Sequence, residues 1–413
     1  MFLQRVASRT AALAMGLCTV AANADLPSHP VVQILRPTDA EISNGDRGPG
    51  NGYFGNSVAV YKSMAIVGIP YAPTGTVEET GRVGVFTRQS NGTWKRTGTF
   101  VSPAPRAGGH FGRLVALEND GAIVADETTM YVFNYSSSGG WKIVQWVRPP
   151  KGDAATLWNT LDFRCNTVAA SAWTESTRLV YLYDRLSDGT LSFKAKRTGA
   201  SRLFGASAAV DCNLAVVGDP GQNYGITTDP GSAYVYRRAS GGSWRLVHHL
   251  SPNDGEAADG FGTGVAINQQ TVFVGAPYSH AEVELGGEYA RVGATYIFSL
   301  NNGTYGITDV LHPTADQNNR YGSFGRQIRA TNDRLFVGAT EYIWGDNGLR
   351  PENLIFSYMR SGGTASAVGL ARGVVDSSAF VVSGSRLFVG TPDDERCFWC
   401  AGAVDIYDIT RTE

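Results

Sequence analysis

Charge is scarce in this 413-residue chain: Lys, Arg, Asp and Glu make up 17 % of it, and the formal net charge is −2. No basic field is present to neutralise phosphates, which argues against a nucleic-acid partner. No basic amphipathic stretch suggests lodging on a membrane surface. No convincing amphipathic helix follows the N-terminus. The six histidines (His29, His110, His248, His249, His280 and His312) are scattered. His248 and His249 face opposite sides of one strand, so they cannot both ligate one metal there. Carboxylates cluster at Glu78-Glu79, at Glu282, Glu284 and Glu288, and at Asp393 to Glu395. A general acid/base pair needs two carboxylates held face to face, and sequence favours solvated loop charge instead. No catalytic constellation emerges.

The N-terminus differs from the rest. Arg5 and Arg9 precede an apolar stretch, Thr10 to Ala22, and Ala22-Asn23-Ala24 offers small residues for cleavage before Asp25. Residues 1–24 read as a secretory signal peptide, with a single domain over residues 25–413. The apolar run is too short to span a bilayer, and membrane insertion is not expected. A secreted, periplasmic or extracellular location follows as an expectation.

What is abundant is glycine, 50 of 413 residues, well above the usual ~7 %. Much of it belongs to an internal repeat. Phe54-Gly55 precedes Val67-Gly68 by thirteen residues, and the same step separates Phe111-Gly112 from Val124-Ala125. Phe204-Gly205, Phe261-Gly262 and Phe324-Gly325 lead likewise to Val217-Gly218, Val274-Gly275 and Val337-Gly338. Two degenerate copies begin at Leu157 and Asp376, so the seven anchors are residues 54, 111, 157, 204, 261, 324 and 376. Repetition near 50 residues signals a propeller, solenoid or array.

Each unit reads as four strands. Strand A opens at Phe-Gly. Strand B is an apolar run such as Met64 to Gly68, and strand C is apolar and aromatic, as in Val83 to Phe86. Dipeptides such as Asn91-Gly92, Gly241-Gly242 and Asn302-Gly303 supply the positive φ of the C–D hairpins. That turn accounts for the Asn91-Gly92-Thr93 and Asn302-Gly303-Thr304 sequons without sugar. Strand D follows, often opening on an aromatic and closing on a proline. The seventh copy ends after its strand C. The segment His29 to Pro37 matches Ile143 to Pro149 and Leu246 to Pro252, which are strand D segments. Val31 to Leu35 should therefore pair with Val404 to Tyr407 and close the ring, because an open array would leave bare strand edges. The expected fold is all-β: a seven-bladed β-propeller of four-stranded antiparallel blades.

The stretches Phe261 to Ala266 and Val274 to Tyr278, with Phe54 to Ala59 and Val67 to Tyr71, resemble the FG-GAP repeat family. That family includes the propellers of integrin α-chains and of many secreted bacterial proteins. The resemblance implies adhesion or recognition, although the family also contains domains attached to enzymes. It implies calcium as the one possible cofactor. The family's Asp-x-Asp-x-Asp-Gly-x-x-Asp loop is missing here. The nearest stretches, Asp219 to Asp229, Asn253-Asp254-Gly255 and Asp393-Asp394-Glu395, lack the alternating oxygen ligands, so no metal or cofactor is assigned.

Four cysteines remain after Cys18 is removed with the leader. Cys165 and Cys212 hold the same repeat position in neighbouring A–B turns, as a bridge or as two buried thiols. Cys397 and Cys400 flank Phe398-Trp399 in the last B–C loop. A zinc site would need a second ligand pair there and a redox motif a helix N-terminus, so a small loop-closing disulfide is expected.

Function is expected where the copies differ. The A–B and C–D turns are short and uniform, whereas the B–C loops are long and dissimilar, and they carry aromatics. A rigid scaffold with variable loops places binding on those loops. Tyr71, Trp158, Trp173, Tyr224, Tyr278, Trp344 and Trp399 are the candidate ligand contacts, since Trp and Tyr anchor proteins and sugar rings. The very short second loop, Asp126 to Thr129, should leave a notch between Tyr71 and the pair Trp173 and Trp158. The leading reading is a binding module for a protein or glycan. The alternatives are a polysaccharide hydrolase or lyase with carboxylates at the channel mouth, and a structural part of an envelope assembly.

Overall fold

The computed structural model describes residues 26–411, apart from 39–40, 42–51, 151–152, 154–156, 175–177, 200, 222–229, 253–254, 280–283, 286–287, 290, 314–319, 346–347, 362, 375–378 and 393–401. The repeat becomes seven antiparallel sheets, six of four strands and one of five. The first blade pairs Ser57–Tyr61, Met64–Ile69, Arg82–Arg88 and Trp94–Val101 in that order. The innermost strands of the next five blades are Leu114–Glu118, Leu157–Arg164, Ala208–Asp211, Gly264–Asn268 and Ile328–Ala330, and Ala379–Ser383 serves the seventh.

The thirteen-residue spacing has a hydrogen-bond cause. The N–H of Gly55 donates to the carbonyl of Gly68 at 3.1 Å, and Gly112, Gly205, Gly262 and Gly325 repeat the bond to Ala125, Gly218, Gly275 and Gly338. Each bond ties the start of strand A to the end of strand B. The Val-Gly glycine also touches the next blade. A Cβ on Gly68 would collide with the carbonyl oxygen of Gly112, and Gly218, Gly275 and Gly390 meet Gly262, Gly325 and Gly55 in the same way. The motif is thus a blade-to-blade contact, and the Gly390–Gly55 contact runs across the closure.

The core is divided accordingly. Seven hydrophobic clusters occupy the seven interfaces between blades. The closing one packs Leu35, Phe388, Val404 and Ile406 against Phe54, Val58 and Val67. Val31–Leu35 is strand D of the last blade, with Val31 opposite Tyr407 and Leu35 opposite Val404. Gln33 makes the match specific. Its amide donates to Trp94 O at 2.7 Å and its carbonyl accepts from Trp94 N at 2.8 Å. Gln145, at the same repeat position, clamps Leu191 O and N in the same way.

Two loops depart from expectation. The segment Thr340 to Asn353 is not a loop: Arg334–Gly345 and Gly348–Ser361 continue as one ladder from Arg334↔Met359 to Gly345↔Gly348. The β-prone run Tyr342-Ile343-Trp344 carries the ladder outward until Gly345. Within the Tyr278 to Val292 loop, Glu284–Leu285 pairs with Glu288–Tyr289.

Candidate functional site

The B–C end of the ring gathers a cluster between the first two blades. Here the connection between Gly121–Ala125 and Met130–Ser136 is only a tight turn, with Asp126 Oδ1 accepting from the N–H groups of Thr128 and Thr129. Residue 110, just before Phe111, takes a left-handed conformation (φ 52°), as do Tyr53 and Ser323 before their Phe-Gly steps. The His110 side chain is mostly buried, 17 % exposed, among its neighbours. Its ring lies 4.6 Å from the Tyr71 ring, which lies 4.8 Å from Tyr53. Nδ1 sits 3.1 Å from Glu127 Oε1 and Nε2 3.4 Å from Glu79 Oε2. Arg113 lies behind, donating through Nη1 to Trp158 O at 2.7 Å. Burial pulls its pKa down, and the nearby Glu127 and Tyr71 oppose that. The site is therefore two tyrosines, an imidazole and two partly exposed carboxylates on one rim segment. Tyr71 was legible from the sequence. His110, Glu79, Glu127 and Tyr53 were not singled out as a cluster, and the one signal for His110 was its slot before Phe-Gly.

The other expected contacts divide. Trp158 is a correction: it is 1 % exposed and packs edge-on to Tyr181 at 5.7 Å, inside the core between blades two and three. Its degenerate Leu157-Trp158 slot stands where other blades have Phe-Gly, so the indole fills the interface. Trp173 closes the strand Thr167–Trp173, with the Arg178 guanidinium 4.2 Å over its ring. Tyr278 is 41 % exposed. Trp344 lies on the extended hairpin strand of blade six. Tyr224, Trp399, Cys397 and Cys400 lie outside the described residues. His248 and His249 do separate, His249 stacking on Tyr234 and His248 meeting Tyr305 edge-on.

The opposite end holds a cavity of about 770 Å³ in the channel mouth, lined by the innermost strands of blades one, two, three, six and seven, the A–B turns of blades one, six and seven, and Arg88 and Trp94 of blade one. Five residues after each anchor stand Ala59, Ala116, Asp162, Ala209, Ala266, Arg329 and Val381. Blades three and six, on opposite sides of the ring, thus replace a small residue by a charged one. Asp162 accepts from Val210 N at 2.8 Å, and burial raises its pKa against that bond. Glu118 accepts from Cys165 N at 2.5 Å and Asn166 N at 3.0 Å. Both mouth carboxylates are engaged by backbone N–H groups, so the arrangement does not favour the hydrolase or lyase reading.

Beside this mouth Cys165 and Cys212 form a disulfide, Cα to Cα 4.7 Å, stapling the A–B turns of blades three and four. Asp211 lies within 4.8 Å of both sulfurs. With the sulfurs bonded to each other, that trio does not offer a metal ligand set.

The fold is that of a seven-bladed β-propeller, an architecture that fits a binding or recognition module in general. The FG-GAP repeat family matches residues 244–298, which run from the outer strand of blade four through the third strand of blade five. Among solved structures, the WD40 domain of Toxoplasma gondii coronin is similar at 12 % identity and a TM-score of 0.51, covering 93 % of this chain and 88 % of that one. A functionally unknown protein from Desulfotomaculum acetoxidans DSM 771 is similar at 11 % identity and a TM-score of 0.51, covering 80 % and 90 %. Such identities show the fold alone. No curated protein matches the chain.

Proposed function

We propose that this protein is an exported recognition module that binds a glycan at the rim between its first and second blades. The observation that carries the reading is the Tyr53–Tyr71–His110 cluster flanked by Glu79 and Glu127. Aromatic faces suit the apolar faces of sugar rings, and carboxylates accept from sugar hydroxyls. Export is supported by the leader-like residues 1–24 and by the Cys165–Cys212 disulfide, a bond that persists in oxidising compartments. A protein ligand is the alternative occupant of the same rim.

The test is a glycan array with the mature chain, followed by affinity measurement on any hit. Tyr71→Ala should weaken binding by about thirtyfold, the loss of a contact anchor of roughly 2 kcal/mol. His110→Ala should weaken it as well, while Asn91→Ala and Asn302→Ala, in the opposite turns, should leave it unchanged. Binding that survives Tyr71→Ala and disappears with the turn variants would place recognition on the other face. Capture of a protein with no array hit would favour the protein ligand.

A further inference from the structure

Cations outnumber carboxylates in the lining of the channel mouth at the A–B end. Five cations line the cavity, Lys62, Arg88, Arg164, Arg329 and Arg386, against two carboxylates, Glu118 and Asp162. The carboxylates are occupied by backbone N–H groups. Two of the cations are paired: Arg386 with Asp408 at 2.7 Å and Arg164 with Asp211 at 3.4 Å. Arg329 is different. Its Nη1 donates to Ile328 O at 2.9 Å, and its guanidinium lies 5.8 Å from the Phe380 ring centre. Among the described residues no carboxylate comes within ion-pairing distance of it, and Asp162 acts on it only across the channel. Arg329 is exposed to channel water yet enclosed by the ring, and burial pulls its pKa down. Facing channel water, the guanidinium spends one of its five donors on Ile328 O and has the rest available to a ligand.

We propose that the A–B mouth of the channel binds a small ligand bearing an oxyanion, held by the Arg329 guanidinium. The planar fork matches a carboxylate or sulfate with two parallel hydrogen bonds. The cavity has the size of small-molecule sites, about 300–1,000 Å³. Lys62 and Arg88 add positive potential around it, while Arg164 and Arg386 are offset by Asp211 and Asp408. Asp162 is the opposing charge: its carboxylate, with Glu118 beyond, repels the incoming anion when ionised. The oxyanion can come from a sugar acid or from a free inorganic ion, and both share this chemistry. The site is on the face opposite the rim cluster and independent of it.

Calorimetric titration of the mature chain with sodium glucuronate, sodium sulfate and neutral glucose, at constant ionic strength, tests this. We expect saturable binding of at least one anion and none of glucose. Arg329→Met should lower anion affinity about tenfold or more, the loss of charged hydrogen bonds. Arg329→Lys, keeping the charge without the fork, should weaken binding less. Asp162→Asn, whose amide oxygen still accepts from Val210, should tighten it at neutral pH. Glucuronate binding well above sulfate assigns the site to an organic acid, and equal affinities assign it to a free oxyanion. Two results overturn the proposal: neither anion binding, or affinity unchanged in both Arg329 variants. The Lys and Asn variants keep the test readable if the Met variant fails to fold.

Discussion

His29 shows how much one side chain can hold. It is 4 % exposed, with Nδ1 2.9 Å from Arg411 O and Nε2 2.7 Å from Ser357 Oγ. It joins the closing strand to blade six and to the C-terminal end of the described chain. Burial lowers its pKa below the usual 6.5, although the Arg411 carbonyl pulls the other way. The folded state therefore binds this proton less readily than the unfolded chain. The stabilisation is complete above about pH 6.5 and is lost as pH falls from there through the lowered value. Asp408 adds a second acid step. Burial pushes its carboxyl up, but hydrogen bonds from Thr410 and the Arg386 charge outweigh that and leave it below the ordinary range. Melting temperature should thus fall between neutral pH and pH 5, and His29→Gln should flatten that fall. An identical pH profile in the variant would exclude His29 as its source.

At the scale of elements, the closing strand is the piece whose loss has the clearest consequence. Val31, Val32 and Ile34 are exposed, as suits an outermost strand, while Leu35 is buried in the closing core. Removing residues 25–40 would bare the edge of Ala403–Asp408 and strip Leu35, Gln33 and His29 from their partners. The truncated chain should melt well below the mature one. Gln33→Ala is the milder probe. It removes two hydrogen bonds to Trp94 and should cost about 1–3 kcal/mol in denaturant unfolding. The equivalent change at Gln145 should cost a similar amount, since it makes the same clamp between blades two and three.

The whole molecule has seven thin cores and two unlike ends. Among the described residues each hydrophobic cluster joins two adjacent blades, and a staple between two blades acts by restraining the unfolded chain. The Cys165–Cys212 loop spans 47 residues of sequence. Replacing both cysteines by serine should lower stability by about 2–4 kcal/mol, measured against the wild type with and without reductant. Equal stability of the two proteins would show the bond to be dispensable. Calcium is not expected to hold the ring together, because the acidic stretches lack the alternating oxygen ligands in sequence. Chelation with EDTA should leave the melting temperature unchanged, and a drop restored by calcium would return the acidic loops to consideration.

Fold and function were not equally legible in the sequence. Seven anchors, the Phe-Gly and Val-Gly steps and the match of His29–Pro37 to Ile143–Pro149 determined blade number, strand order and closure. They could do so because a repeat writes the same backbone contact several times in one chain, and Gly68 meets Gly112 as Gly275 meets Gly325. The Cys165 and Cys212 positions were comparable for the same reason. Only tertiary structure decided which side chains share a site. Trp158 reads as a rim aromatic and is core, because a degenerate slot turned its indole inward. His110 reads as one scattered histidine and stands between Glu79 and Glu127, whose approach depends on how two blades meet. Asp162 and Arg329 are 167 positions apart in sequence, and only the ring sets them across one channel. Periodicity encodes the contacts every blade repeats; the contacts made once, between unlike loops or opposite blades, arise from the closed ring.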